Sequence, residues 1–256
     1  MRQAVIRRPH DLEVVEAPPP RPGAAELLVR PVAVGICGSD LHALEGQHPF
    51  IRLPVVPGHE VAGIVEAGGA GVEGFAAGDR VLLEPSLVCG TCSYCASGRY
   101  NLCAQLQVVG CQTTGGLADL FVAPARRFHR VPEGMTMTQA AVVEPLSTAT
   151  HAVRIAGDLR GASVAVLGGG SIGLLTMLAA RAAGAAAVIV TDPVQGKRRR
   201  AVELGADRAA DPTIPDAVER IRAELPGRPD VTFDCVATQA STDQAVALAW
   251  STWAGS

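Results

Sequence analysis

Cys89, Cys92, Cys95 and Cys103 follow the spacing C-x2-C-x2-C-x7-C, and no other feature constrains the fold of this chain as tightly. Four thiols in so short a run can fold a compact loop around one tetrahedral ion. A closed shell of four ligands leaves no position for substrate, so the metal here is expected to be structural. Zinc suits four thiolates in softness and geometry. An iron–sulfur cluster is the main rival, but cluster runs use other spacings and often place Pro after the last Cys, whereas Ala104 follows here. Four unligated thiols fit the spacing less well.

The chain has 7 cysteines and opens Met1-Arg2-Gln3-Ala4 into an apolar run broken by Arg7, Arg8 and Pro9, too short for the core of an export signal. Metal ligation or catalysis, in the cytoplasm, is therefore expected over a disulfide framework. A net charge of -3 with scattered Lys and Arg gives no basic stripe, which argues against nucleic acid as a partner. A zinc-ribbon nucleic-acid binder would need cations and aromatics near the cysteines, and only Arg99 and Tyr100 lie there. The uncharged stretch from Gly161 to Ala180 has the length of a membrane span, but Gly168 to Gly170 would break such a helix in its middle. It reads as buried core, and no membrane association is expected.

With 256 residues, 48% of them hydrophobic, the chain can bury two modest cores. Up to about residue 131 the apolar runs are short and β-branched, as in Glu26 to Val34, Val61 to Glu66 and Arg80 to Leu83, and Gly and Pro clusters separate them. This predicts a β-rich, partly barrel-like domain. From about Thr138, alanine-rich helical periods alternate with valine-rich runs at Ser163 to Leu167, Ala187 to Thr191 and Val231 to Val236, with a weak strand at Arg208 to Ala210. This predicts α/β architecture built of βαβ units, with one helix running from Pro193 to Gly205.

Gly168-Gly169-Gly170-Ser171-Ile172-Gly173 fits G-x-G-x-x-G directly after a strand and directly before a helical period. Gly168 permits the tight turn, Gly170 lets backbone approach a pyrophosphate, and Gly173 lets helix and strand pack closely, with the amides of Ser171 and Ile172 at the helix start. A merely structural glycine turn is the bland alternative. Asp192 closes the second strand, where a carboxylate would accept from the adenosine ribose hydroxyls and repel a 2′-phosphate, which favours NAD over NADP. Lys197 and Arg198 nearby temper that preference, unless they are only solvated.

Cys37, in Gly35-Ile36-Cys37-Gly38-Ser39-Asp40, and the pair His59-Glu60, in Pro57-Gly58-His59-Glu60, offer a thiolate, an imidazole and a carboxylate. Each has a bland reading alone: a small buried hydrophobe, a hydrogen-bonded His, a solvated Glu. Spacing does not decide between these readings and a catalytic metal.

These segments, with the cysteine lobe, Gly78-Asp79-Arg80-Val81, Glu144-Pro145-Leu146-Ser147 and the glycine turn, occur in the order found in one family. The chain resembles the zinc-dependent medium-chain dehydrogenases, in the branch of sorbitol, other polyol and threonine dehydrogenases, along nearly its whole length. The resemblance implies a GroES-like, partly open barrel catalytic domain over 1–147 and a Rossmann doubly wound parallel sheet domain over 148–256. It implies one catalytic and one structural zinc, with Cys37 and His59 on the catalytic ion. Glu60 and Glu144 would supply a ligand and a second carboxylate close by, in an order left open. Glu144 stands where the simple alcohol dehydrogenases have a second cysteine. Ser39 and His42 would relay the proton, although an exposed loop histidine is an equal reading of His42. The implied reaction is hydride transfer between a secondary alcohol, such as a polyol or sugar, and NAD. The partners implied are a small alcohol or ketone and, in a full-length form, a second copy of the chain.

Four strand candidates are legible where a doubly wound domain has six. After Ala245-Val246-Ala247-Leu248 the resemblance leads one to expect a Pro-Gly-Gly turn and another strand, but the chain reads Ala249-Trp250-Ser251-Thr252-Trp253-Ala254-Gly255-Ser256. That tail reads as a truncation or a shifted reading frame. Such a chain would have an incomplete cofactor crevice, exposed apolar faces and an activity that is not assured. A non-catalytic zinc-bearing scaffold, or an inactive dehydrogenase remnant, is the competing expectation.

Overall fold

The protein is described here from a computed structural model covering residues 1–249. The tail that breaks the expected pattern, from Trp250 onward, lies outside the described residues. The chain divides into two compact units, Met1–Glu144 and Pro145–Ser256.

The first unit is built from antiparallel strands. β1 (Arg2–Arg8) and β2 (Asp11–Glu16) form a hairpin. β3 (Glu26–Gly35) runs into a short helix, α1 (Gly38–Leu44), and the chain returns in β4 (Glu60–Gly68) and β5 (Arg80–Leu83). β6 (Ser86–Leu87), α2 (Ser93–Ala96) and β7 (Gln107–Val108) carry the cysteine lobe, and β8 (Phe121–Pro124) and β9 (Phe128–Arg130) close the unit. The main sheet has the order β8-β3-β4-β5-β9 and curls into a half-barrel. Its period-2 pattern is why it forms: Leu27 and Val29, Val61 and Val65, Val81 and Leu83, and Phe121 and Ala123 all fall in one buried cluster. Residues of opposite parity, Ala62 and Leu82, pack in another with Ala140 and Ala141. Pro31 lies in β3 beyond the β8 pairing, which stops at Val29, and at a bulge, where its missing N–H is tolerated.

The chain passes from one unit to the next within α3 (Met137–Ala156), which contains Pro145. The second unit follows the order β10 (Ser163–Leu167), α4 (Ser171–Ala182), β11 (Ala187–Thr191), α5 (Gln195–Glu203), β12 (Arg208–Ala210), α6 (Ala217–Ala223), β13 (Val231–Asp234) and α7 (Gln239–Ala249). Its four strands are parallel in the order β12-β11-β10-β13. Successive residues serve opposite faces. Val164, Val166, Val188 and Val190 pack with Met177 and Ala180 of α4 and Ala201 of α5. Ala165, Leu167 and Ile189 pack with Ile221 of α6 and Leu248 of α7. Helices on both faces explain why these strands read as continuous apolar runs. The stretch from Gly161 to Ala180 is thus strand, turn and helix, and among the described residues no helix is long and apolar enough to cross a membrane.

Two expected boundaries shift. The last strand ends at Asp234, not Val236, because the Asp234 carboxylate accepts from the N–H groups of Val236 and Ala237, and Ala237 sits at φ 58°. The helix expected from Pro193 starts at Gln195, because Asp192 Oδ1 accepts the Val194 N–H at 2.8 Å and holds Val194 extended at the N-cap.

Candidate metal and cofactor sites

Antiparallel register builds the first site. β3 and β4 pair Gly35 with Glu60, so the residues just after one strand lie beside those that open the next. Cys37 is the N-cap of α1, in extended backbone, and His59 immediately precedes β4. Donor atoms of Cys37, His59 and Glu60 all lie within 4.8 Å of one another. The approach depends on Gly35, since a Cβ there would sit 1.8 Å from Glu60 Oε2.

Asp40, not singled out from the sequence, ties this cluster together. It is 5% exposed, and its Oδ2 accepts the Cys37 N–H at 2.8 Å, closing the first turn of α1. Its Oδ1 has no hydrogen bond and lies 3.8 Å from His59 Nδ1, which is likewise buried and unpartnered. A carboxylate behind an imidazole orients a metal-binding histidine and fixes its tautomer. The available signal was an acidic residue three positions after an N-cap. Cys111 is the other neighbour that sequence reasoning missed: a buried thiol close enough to His59 to raise its pKa.

The electrostatics follow from this crowding. Burial opposes a charged His59, yet hydrogen bonds to Cys111 and Cys37 and the Asp40 charge outweigh it and push its pKa up to about 11. The hydrogen bond from His59, assisted by Ser39 against the effect of burial, lowers the Cys37 thiol. Burial raises Glu60, with His59 opposing. Glu144 is raised by burial and by Glu60, again with His59 opposing, so its carboxyl shares the field of this cluster. A proton bound this firmly among a thiol, an imidazole and carboxyls marks a place where a divalent cation would displace it. The donor set, a thiolate, an imidazole and a carboxylate, fits zinc. His42 is not drawn in: its ring is 61% exposed, with Glu45 Oε2 3.9 Å from Nδ1.

In the cysteine lobe the Sγ atoms of Cys92 and Cys95 are 3.5 Å apart, those of Cys103 and Cys89 3.6 Å, and those of Cys89 and Cys95 3.9 Å. A tetrahedral ion with bonds of about 2.3 Å to sulfur requires edges of about 3.8 Å. The lobe matches one ion and is too tight for a cluster with several irons between the thiolates. Backbone N–H groups of Thr91 and Cys92 lower the Cys89 thiol, which favours the thiolate a metal needs.

In the second unit, the residues read as a cofactor site come together at one strand end. Gly170 is the N-cap of α4 with no side-chain cap, and a Cβ added there would meet nothing within 4 Å. The amides that open α4 at Ser171, Ile172 and Gly173 thus lie beside open space, as an anion site requires. A Cβ on Gly173 would lie 1.8 Å from the Gly168 carbonyl oxygen, so helix and turn touch there. Asp192, 5% exposed, accepts the Gly169 N–H at 2.9 Å through Oδ2, and Lys197 Nζ lies 3.7 Å from the same oxygen. Arg198 is committed elsewhere, to the carbonyls of Asp192 and Pro193 and to Asp211.

Comparison with known proteins then decides the family. Residues 23–133 match the alcohol dehydrogenase GroES-like domain, and residues 171–250 match the zinc-binding dehydrogenase family. Human sorbitol dehydrogenase is 36% identical over 246 residues, covering 93% of this chain and 68% of that protein. The chain belongs to the zinc-dependent medium-chain dehydrogenase family. L-idonate 5-dehydrogenase of Vitis vinifera is 38% identical over 226 residues, 85% of this family member and 62% of the grape protein. A structure from Sinorhizobium meliloti, described as that of a zinc-binding dehydrogenase bound to NADP, superposes with a TM-score of 0.91 at 37% identity, covering 96% of this chain and 73% of that one. This dehydrogenase-family chain spans about three fifths to two thirds of the length of the curated relatives it matches. The expected α/β class, with a GroES-like and a Rossmann part, is borne out.

Proposed function

We propose that the chain carries the machinery of a zinc-dependent oxidoreductase that moves hydride between a secondary alcohol, of polyol or sugar type, and NAD. The observation that carries this reading is the convergence of Cys37, His59 and Glu60 donor atoms within 4.8 Å, in a chain of this family. Bound zinc would polarise the alcohol oxygen as a Lewis acid while the nicotinamide accepts hydride. Cys37 and His59 would hold the ion, with Glu60 or Glu144 as the third protein ligand. Asp40 would keep His59 oriented, and Ser39, whose hydroxyl hydrogen-bonds Cys37, would stand at the start of the proton path, with His42 at its solvent end. Whichever of Glu60 and Glu144 does not bind the ion, its carboxyl raised by burial, would exchange a proton beside the reacting oxygen. Gly168, Gly170, Ser171, Ile172 and Gly173 would seat the pyrophosphate. Asp192, buried and negative at the strand end, supports NAD over NADP, and Arg198 is already committed to other partners.

A second zinc in the cysteine lobe would be structural. The wider reading adds a homo-oligomer, testable by light scattering. It also places the protein in the cytoplasm, a placement supported by seven free cysteines. Elemental analysis with a calorimetric NAD titration comes first: near two zincs per chain and NAD binding are expected. NAD-coupled oxidation of polyols and secondary alcohols follows. Absence of turnover with all of them, in protein that holds zinc and binds NAD, would sink the proposal.

A further inference from the structure

A cavity of about 540 Å³ is lined by the segment that leads to His59, through Val55 and Val56, and by Cys111, and its size is within the range that takes small organic ligands. Cys111 links this cavity to the Cys37–His59–Glu60 cluster, since it lines the cavity and sits close enough to His59 to raise the pKa of that ring. The polar lining includes Arg52, Gln112, Thr113 and Thr114, and among the described residues no carboxylate contributes to it. The acids of the donor cluster, Asp40, Glu60 and Glu144, do not line this cavity.

Among the described residues Arg52 is the single charged residue in the lining, and it is exposed. Other arginines of the same unit are engaged: Arg2 with Asp119, Arg30 with Glu66, Arg127 with Glu84 and Arg130 with Asp79. Among the described residues, neither a carboxylate nor any other acceptor takes the Arg52 guanidinium. The segment that carries it is nonetheless fixed. Gln112 accepts the Val108 N–H at 2.8 Å and donates to the Phe50 carbonyl at 3.0 Å, bridging the two chain segments that face each other across the cavity. A fork of donors at the edge of this cavity, with its charge uncompensated, suits a planar or tetrahedral oxyanion.

We infer that this cavity receives the part of the substrate remote from the reacting carbon, and that Arg52 selects polyhydroxy alcohols bearing a carboxylate or a phosphate over neutral polyols. This rests on the dehydrogenase reading for the reaction, but the recognition itself is a binding property. Arg52 is a specificity-determining residue here, and it takes no part in hydride or proton transfer.

Calorimetric titration of the zinc-loaded protein with D-gluconate, D-glucitol 6-phosphate and D-glucitol tests the inference, in wild type, Arg52→Gln and Arg52→Lys. One of the two anions should bind about tenfold or more tightly than glucitol at low salt, and the preference should shrink as salt rises. Arg52→Gln should abolish that preference and Arg52→Lys keep part of it, with the melting temperature unchanged because the residue is exposed. Which anion binds identifies the oxyanion. The inference is overturned if glucitol binds as well as both anions, if none of the three binds, or if Arg52→Gln behaves as wild type. NAD-coupled oxidation separates the two readings. Arg52-dependent binding without turnover would remove the dehydrogenase reading and keep the anion pocket. Turnover of neutral polyols that is indifferent to Arg52 would do the reverse.

Discussion

Replacing Gly35 by Ala should damage the Cys37–His59–Glu60 site through one methyl group. The added Cβ would lie 1.8 Å from Glu60 Oε2 and 2.9 Å from Glu60 Cβ and Cδ. The carboxylate can swing away by rotation about its side-chain bonds, at about 0.5–1.5 kcal/mol if it leaves a rotamer well. The Glu60 Cβ cannot, because β4 is paired with β3 at this position, and forcing strands apart in a packed unit costs about 1–3 kcal/mol. Urea unfolding should therefore show a loss of about 1.5–4.5 kcal/mol in total. Metal affinity at this site, read by chelator competition, should fall about 10–100-fold as the carboxylate leaves. The cysteine lobe should keep its ion. Adding Glu60→Ala removes the oxygen and Cδ contacts, so the double variant should be more stable than the sum of the singles predicts. Strict additivity, or unchanged metal affinity in Gly35→Ala, would refute the proposed role of this pairing.

Asp40→Asn should weaken the same metal about 10–100-fold by removing the carboxylate behind His59, and chelator competition showing no change would exclude a positioning role. In protein stripped of metal, the His59 pKa rises from its ordinary 6.5 to about 11. Its proton then contributes stability that is complete below pH 6.5 and is lost as pH climbs through 11. Urea midpoints should decline over that window in wild type and not in His59→Gln; parallel profiles would contradict this. Zinc binding at pH 7 should release that proton, giving heats that vary with buffer ionisation enthalpy. Gly173→Ala puts a Cβ 1.8 Å from a backbone oxygen that cannot rotate away. NAD affinity should fall at least about tenfold, with about 1–3 kcal/mol of stability, and normal NAD binding would show that α4 need not touch the Gly168 turn.

The features legible from sequence were those whose partners are close along the chain. Cysteine spacing over one short loop and a glycine turn between a strand and a helix both report local geometry, and short β-branched and valine-rich runs report strands in both units. Asp40 and Cys111 were missed for the opposite reason. Asp40 faces His59, 19 residues away in the sequence, and Cys111 reaches the same ring from a different loop. Only strand pairing brings them together. The strand overrun at Val231 has a smaller cause: valine at 236 favours a strand, but the Asp234 carboxylate captures the next two amides first.

Because Gly35 is paired with Glu60 in the sheet, the donor set is assembled by backbone ladder rather than by the long connection between those strands. The segment from Glu45 to Leu53, which carries Arg52, can therefore be exchanged or lengthened in the laboratory while the ligands hold their places, provided the graft keeps the Gln112 bridge to residue 50 and the packing of residues 51 and 53. Reprogramming what the cavity accepts becomes a loop-grafting problem, with retention of metal as the criterion for a graft that has left the chemistry intact.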